Sequence, residues 1–287
     1  MIVDTHTHVF SSDRKRYPQI ADTEKAGSIP SIADIGQQPW PATDADALIA
    51  QMDRAGVAKA TLVQAYFVYE YDNRYAVDCA NAHPDRFMSI CALDPVDPTS
   101  PDKLSDLVEN HGVAGIRFMR GRLPKCTLGD EETVPLWQRI AELKIPLCIH
   151  DKVEELPRVR KLIERFPEIV IAFDHGWGHK VGEPPYTMID PLFDMAVFPN
   201  VNVKTAINNI EAAKGKESTP QRFYEKLVGT FGADRIMWSS NYPAHPHFGS
   251  IESRLKVAKE ALSFLSDDQQ DAIFGKTALR VWPWLAA

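Results

Sequence analysis

Ile2-Val3-Asp4-Thr5-His6-Thr7-His8 opens the chain: a β-branched pair runs into a polar stretch with histidine at alternate positions. Side chains along a strand alternate between two faces, so His6 and His8 point the same way. Seven more short apolar runs follow, at Ala58 to Val63, Phe87 to Leu93, Val113 to Phe118, Ile145 to Ile149, Ile169 to Phe173, Val201 to Val203 and Ile236 to Trp238. Between them lie helical periodicities such as Ala45-Leu48-Ile49-Met52 before Gly56 and Leu104-Leu107-Val108 before Gly112, each closed by a glycine suited to a helix C-cap. The runs recur about every 33 residues, the size of a strand, a crossover helix and two loops. Eight such units predict an α/β fold, a single (β/α)8 TIM barrel occupying residues 1–287. A doubly wound sheet would carry a glycine-rich phosphate loop after its first strand, and neither G-x-G-x-x-G nor a Walker motif is present. Residues 11–41 hold Pro18, Pro30, Pro39 and Pro41 with little periodicity, which reads as a long loop after strand 1. The tail from Asp267 reads as a closing helical segment.

Composition narrows the function. The chain has 287 residues with 32 basic and 39 acidic side chains, a net charge of -7, which leaves no basic excess for a phosphate backbone and excludes nucleic acid as the expected partner. Cys79, Cys91, Cys126 and Cys148 lack C-x-x-C spacing, as expected of a reducing compartment rather than a disulfide framework. No basic-plus-apolar leader opens the chain and no apolar window approaches about 18 residues, so the cytoplasm is expected and a membrane partner is not.

The histidines carry the chemistry. Of nine, four fall at expected C-terminal strand ends: His6 and His8 after strand 1, His150 after strand 5 and His175 after strand 6. Barrel active sites are assembled from those ends, and neutral imidazoles aimed at one point suit a divalent metal. His83 and His111 lie at helix ends and read as surface residues. Arg117, embedded in an apolar run, is placed to hold a substrate carboxylate in a bidentate fork with help from Arg120, while Arg122 reads as part of a solvated loop. Gln64 and Tyr66 after strand 2 and Lys204 after strand 7 are further candidates for polar substrate contacts, or equally barrel-rim residues.

These motifs resemble the amidohydrolase superfamily, in the branch that holds lactonases of the 2-pyrone-4,6-dicarboxylate type and metal-dependent decarboxylases. The resemblance rests on Asp4-Thr5-His6-Thr7-His8, Gly115-Ile116-Arg117-Phe118, His150, Asp174-His175-Gly176 and Met237-Trp238-Ser239-Ser240-Asn241-Tyr242-Pro243, in barrel order over nearly the whole chain. It implies that His6, His8 and His150 are metal ligands and that His175 faces the reacting group. At strand 8 the family pattern has an aspartate, both ligand and general base, where this chain has Asn241. An amide is no general base at neutral pH and a weaker ligand than an anion. Weak or absent binding of a single zinc or manganese ion is therefore expected. Either another base serves, with His245 the candidate from the proline-flanked loop after strand 8, or hydrolysis is lost, or the asparagine replaces an aspartate to trap a ligand. The resemblance implies a hydrolase of a small carboxylated lactone, with a small anionic molecule as partner. The alternatives are a decarboxylase of an aromatic or enoic acid and a barrel that binds without turnover.

Overall fold

The computed structural model describes residues 1–20, 43–119, 128–175 and 180–286. Eight parallel strands form one sheet in chain order: β1 (Ile2–Thr7), β2 (Val57–Val63), β3 (Phe87–Ala92), β4 (Ile116–Met119), β5 (Leu147–His150), β6 (Ile171–Phe173), β7 (Val201–Thr205) and β8 (Ile236–Trp238). Helices α1 (Ala45–Ala55), α2 (Arg74–Ala82), α3 (Ser100–His111), α4 (Val134–Leu143), α5 (Leu156–Arg165), the short α6 (Asp190–Phe193), α7 (Pro220–Phe231) and α8 (Ile251–Ala261) follow the strands in turn. This is the (β/α)8 TIM barrel that the sequence predicts. Helix α1 starts where the Asp44 side chain accepts the Ala47 amide, and Gly56 ends it with φ of 70°.

Alternation sorts the strand residues into two packings. Outward-facing Leu62, Ile116, Phe118, Leu147, Ile149 and Phe173 bury themselves among Leu48, Leu104, Trp137, Ile140 and Ile163 of the helices. Inward-facing Val3, Val63, Met88, Ala114, Cys148, Ala172 and Met237 meet a second group from the chain's end, Ala278, Val281, Trp282 and Leu285. The closing segment, α9 (Asp267–Asp271), a π turn (Ala272–Lys276) and α10 (Thr277–Val281), thus plugs the barrel where its strands begin. A side chain at Gly115 would meet the Trp282 indole nitrogen and the Pro146 carbonyl at 3.3 Å, and a Cβ at Gly275 would overlap the Met1 carbonyl.

The seam between β8 and β1 is closed by an isolated Thr7–Tyr242 bridge and a few individual hydrogen bonds rather than by a full ladder. Thr5 Oγ1 donates to the Trp238 carbonyl at 2.8 Å, the Asn241 amide to the His6 carbonyl at 2.9 Å and the His8 amide to the Tyr242 carbonyl at 2.8 Å. After β1 the chain runs through turns to residue 20, with Phe10 paired to Thr43, and the remainder of the expected 11–41 loop lies outside the described residues.

Because Trp282 is fully buried in the inner core, Trp282→Ala should cost about 3–5 kcal/mol in urea denaturation. A loss under about 1 kcal/mol would show that the closing segment does not support the barrel.

Candidate active site

His6, His8 and His175 are buried at the strand ends, and their rings meet edge to face. Ring centroids lie 4.9 Å apart for His6 and His8, 4.6 Å for His6 and His175, and 6.2 Å for His150 and His175. Strand alternation on β1 and the register of β5 against β6 bring four imidazoles from three strands together. The His8 Nδ1 donates to the Val63 carbonyl at 2.8 Å, which leaves Nε2 with its lone pair. Phe10 stacks on His8 at 6.4 Å and Phe67 meets its ring edge-on at 5.3 Å, an apolar wall on one side of the cluster.

Beneath the imidazoles lies a carboxylate shut off from water. Asp174 accepts a hydrogen bond from Arg117 Nε at 2.7 Å, while Lys204 Nζ stands 3.1 Å and His6 Nδ1 3.5 Å from its other oxygen. The Lys204 ammonium also lies 3.1 Å from Cys148 Sγ and 5.0 Å from the centre of the Trp282 ring, so the plug forms its floor. Burial pushes the Asp174 pKa up, but Lys204, His6 and Arg117 outweigh it and hold the carboxyl well below its ordinary range. Burial likewise opposes the charge on Lys204, and Asp174 reverses this and raises its pKa. His6, His8 and His175 are pushed down, chiefly by burial, His8 to about 3. The cluster around Asp174 therefore holds two cations against one anion under neutral rings. Arg117 Nη1 is buried with no partner among the described residues and so has a donor for a ligand.

The other expected residues fall into four groups. Asn241 caps β8 in the left-handed region, φ 54°, tied to His6 through its backbone. His245 is half-buried in the following turn, its ring 5.9 Å from His247 and 6.0 Å from Phe248. Gln64 donates to the carbonyls of Glu70 and Asp72 and so braces the loop after β2, and Tyr66 is buried 5.0 Å from the Tyr71 ring. Arg120 lies outside the described residues. Lys204 is inside the barrel rather than on its rim, since β7 extends through Thr205. Sequence reasoning did not single out Asp174 as a charge centre, nor Asp4, whose buried carboxylate accepts the Ser240 amide at 2.9 Å and the His6 amide at 3.2 Å.

The family model described as amidohydrolase matches residues 3–284. The chain belongs to the amidohydrolase family. No curated protein matches its sequence. Among solved structures, it is similar to a protein from Pseudomonas putida described as a 2-pyrone-4,6-dicarboxylic acid hydrolase (22% identity, 99% of this chain and 97% of that one, TM-score 0.76). A protein described in the same way from Acinetobacter baumannii, with citric acid bound, shares 17% identity over 98% of each chain, TM-score 0.73. A dihydroxybenzoic acid decarboxylase from Polaromonas sp. JS666, with manganese and the inhibitor 2-nitroresorcinol, shares 15% identity over 98% and 96% of the two chains, TM-score 0.65.

A divalent ion fits these donors poorly. The imidazoles offer neutral nitrogens, but the nearest carboxylate, Asp174, is already engaged by Arg117 and Lys204, and strand 8 presents an amide. Among the described residues no three His, Cys, Asp or Glu side chains are placed to hold a metal.

The pKa shifts set an acid limit on stability. As the pH falls below the ordinary histidine value of 6.5, the unfolded chain takes up protons that the buried imidazoles refuse, so stability drops toward pH 3. Asp4, raised by burial to about 6, works the other way between that value and 3.8 and offsets one histidine. Chelator-treated protein should lose stability from pH 6.5 downward, and His8→Gln should flatten the slope by up to about 1.4 kcal/mol per pH unit. An unchanged slope would mean that His8 is protonated in the folded protein.

Proposed function

We propose that this amidohydrolase-family enzyme hydrolyses a small carboxylated lactone. The observation that carries the reading is the buried Arg117 Nη1, without a partner among the described residues, in a cluster of two cations and one carboxylate directly below neutral imidazoles. A substrate carboxylate placed at Arg117 gains a charge-assisted hydrogen bond and neutralises the cluster. The lactone carbonyl then lies among the imidazoles, where N–H donors of the histidine cluster stabilise the developing oxyanion. Water attacks the carbonyl carbon, and His175, whose Nδ1 is buried without a partner among the described residues, takes its proton as the base that Asn241 cannot be. The proton passes to the ring oxygen as the ester bond breaks, giving a hydroxy acid or its keto tautomer.

A second reading has support of its own. The Phe10 and Phe67 wall against His8 makes one side of the site apolar, and desolvating a carboxylate there would favour loss of carbon dioxide from an aromatic or enoic acid. Incubation with 2-pyrone-4,6-dicarboxylate and with hydroxybenzoates separates the two: proton release with ring opening supports hydrolysis, and loss of a carboxylate from the benzoates replaces it with decarboxylation.

Two variants test the roles of the side chains. Arg117→Lys keeps the charge but loses the fork, and should raise KM for an anionic lactone by about tenfold or more while leaving a neutral ester nearly unaffected. Equal losses on both would make Arg117 purely structural. His175→Asn should abolish hydrolysis, whereas Asn241→Asp should give no gain; an increase in kcat of about 10²-fold or more would reveal a site built for a strand 8 carboxylate.

Zinc and manganese should bind weakly through His6, His8 and His150. Metal analysis after dialysis against chelator should find well under one equivalent per chain, and a full equivalent retained would contradict the electrostatic argument.

A further inference from the structure

The turn after β8 is organised by one buried side chain that neither the family motif nor the proposed chemistry uses. Arg254, on α8, is 1% exposed. Its Nη1 donates to the carbonyls of Ser240 and Asn241, each at 3.0 Å, its Nη2 to His245 at 3.0 Å and its Nε to Gly249 at 3.1 Å. The guanidinium also lies 5.4 Å from the centre of the Tyr242 ring. Four acceptors spread over ten residues thus converge on one planar fork, a pattern that a lysine ammonium could not reproduce.

These contacts have a direct consequence for the site. Asn241 and His245 both hold left-handed backbone, φ 54° and 55°, a conformation that side-chain-bearing residues adopt at a cost. Arg254 binds the carbonyls of both residues and so holds the turn in these conformations. From the other side, Asp4 accepts the Ser240 amide, so the Ser240–Asn241 segment is gripped by a carboxylate on its N–H and a guanidinium on its carbonyls. With the adjoining Tyr242, that segment closes the barrel seam between β8 and β1 at the level of His6 and His8, through the Asn241-to-His6 and His8-to-Tyr242 hydrogen bonds.

We propose that Arg254 is a positioning residue for the active site: by gathering the four carbonyls of the strand 8 turn it fixes Asn241 against β1 and sets the spacing between the strand 8 turn and the His6–His8 pair. The inference rests on the histidine cluster being the active site, but its effect on the seam does not depend on which reaction occurs there.

The test compares wild type with Arg254→Lys, which keeps a cation beside Tyr242, and Arg254→Ala, by amide hydrogen exchange and by kcat and KM on whichever lactone or benzoate is turned over. Both variants should lose protection at the Asn241 and His8 amides by about tenfold or more, while the Asp174 amide, bonded to Ile149 on the far side of the barrel, keeps its own. Turnover should fall in kcat with KM little changed, and millimolar ethylguanidinium should restore both seam protection and kcat in Arg254→Ala. Protection that stays unchanged, or falls equally at Asp174 and at the seam in Arg254→Lys, would overturn the proposal, as would a loss confined to KM. If no substrate is turned over, the lactone reading fails and the exchange comparison alone decides the role of Arg254.

Discussion

A carboxylate without access to water governs this barrel's interior. Asp174 is ionised where burial alone would neutralise it, because Arg117 and Lys204 reach it from two other strands. Removing water from each of these charges costs several kcal/mol, and the geometry must return it through short, well-aimed contacts. The strands β4, β6 and β7 are therefore tied by charge as well as by backbone, and loss of one partner would leave another buried charge exposed to the full penalty. The same cluster sets the character of what lies above it: at His8 the Arg117 charge adds to the burial that keeps the ring neutral, at His6 Asp174 opposes that burial without overcoming it, and the two cations make the space over Arg117 receptive to an anion.

The seam between β8 and β1 adds a second constraint. Where a ladder would fix spacing automatically, here Thr5, Asp4 and the backbone of Asn241 do so with individual hydrogen bonds. The two histidines of β1 stand at that seam, so the geometry of the site depends on how firmly the turn after β8 is held. Below both, Trp282 and the closing segment fill the barrel floor and keep water from the Lys204 ammonium.

Most of the architecture was legible in the chain because the outer strand face must be apolar to meet the helices, and apolar runs mark it eight times. The inner face is different. Alternating histidines carry strand 1 through its polar residues, and the structure takes β1 to Thr7, but an apolar-run criterion stops at the first polar residue and so leaves strand 7 at Val203 where β7 reaches Thr205. Lys204 was for that reason read as a substrate contact or equally a rim residue, although it lies inside the barrel, 0% exposed. The four clustered histidines could be read from their positions at strand ends, which period-two alternation dictates. Asp174 as a charge centre could not, since its partners are distant in sequence and meet it only once the barrel closes. Arg254 gave no signal at all: on α8 it stands among Glu252, Lys256 and Lys259 as one more charged helix residue.

The central claim is that a positively biased cluster under neutral imidazoles binds an organic anion without needing a strongly held metal. Calorimetric titration of chelator-treated protein with 2-pyrone-4,6-dicarboxylate tests it most directly. Saturable one-to-one binding in the absence of added metal is the predicted result. Binding that appears only when zinc or manganese is supplied would contradict the account.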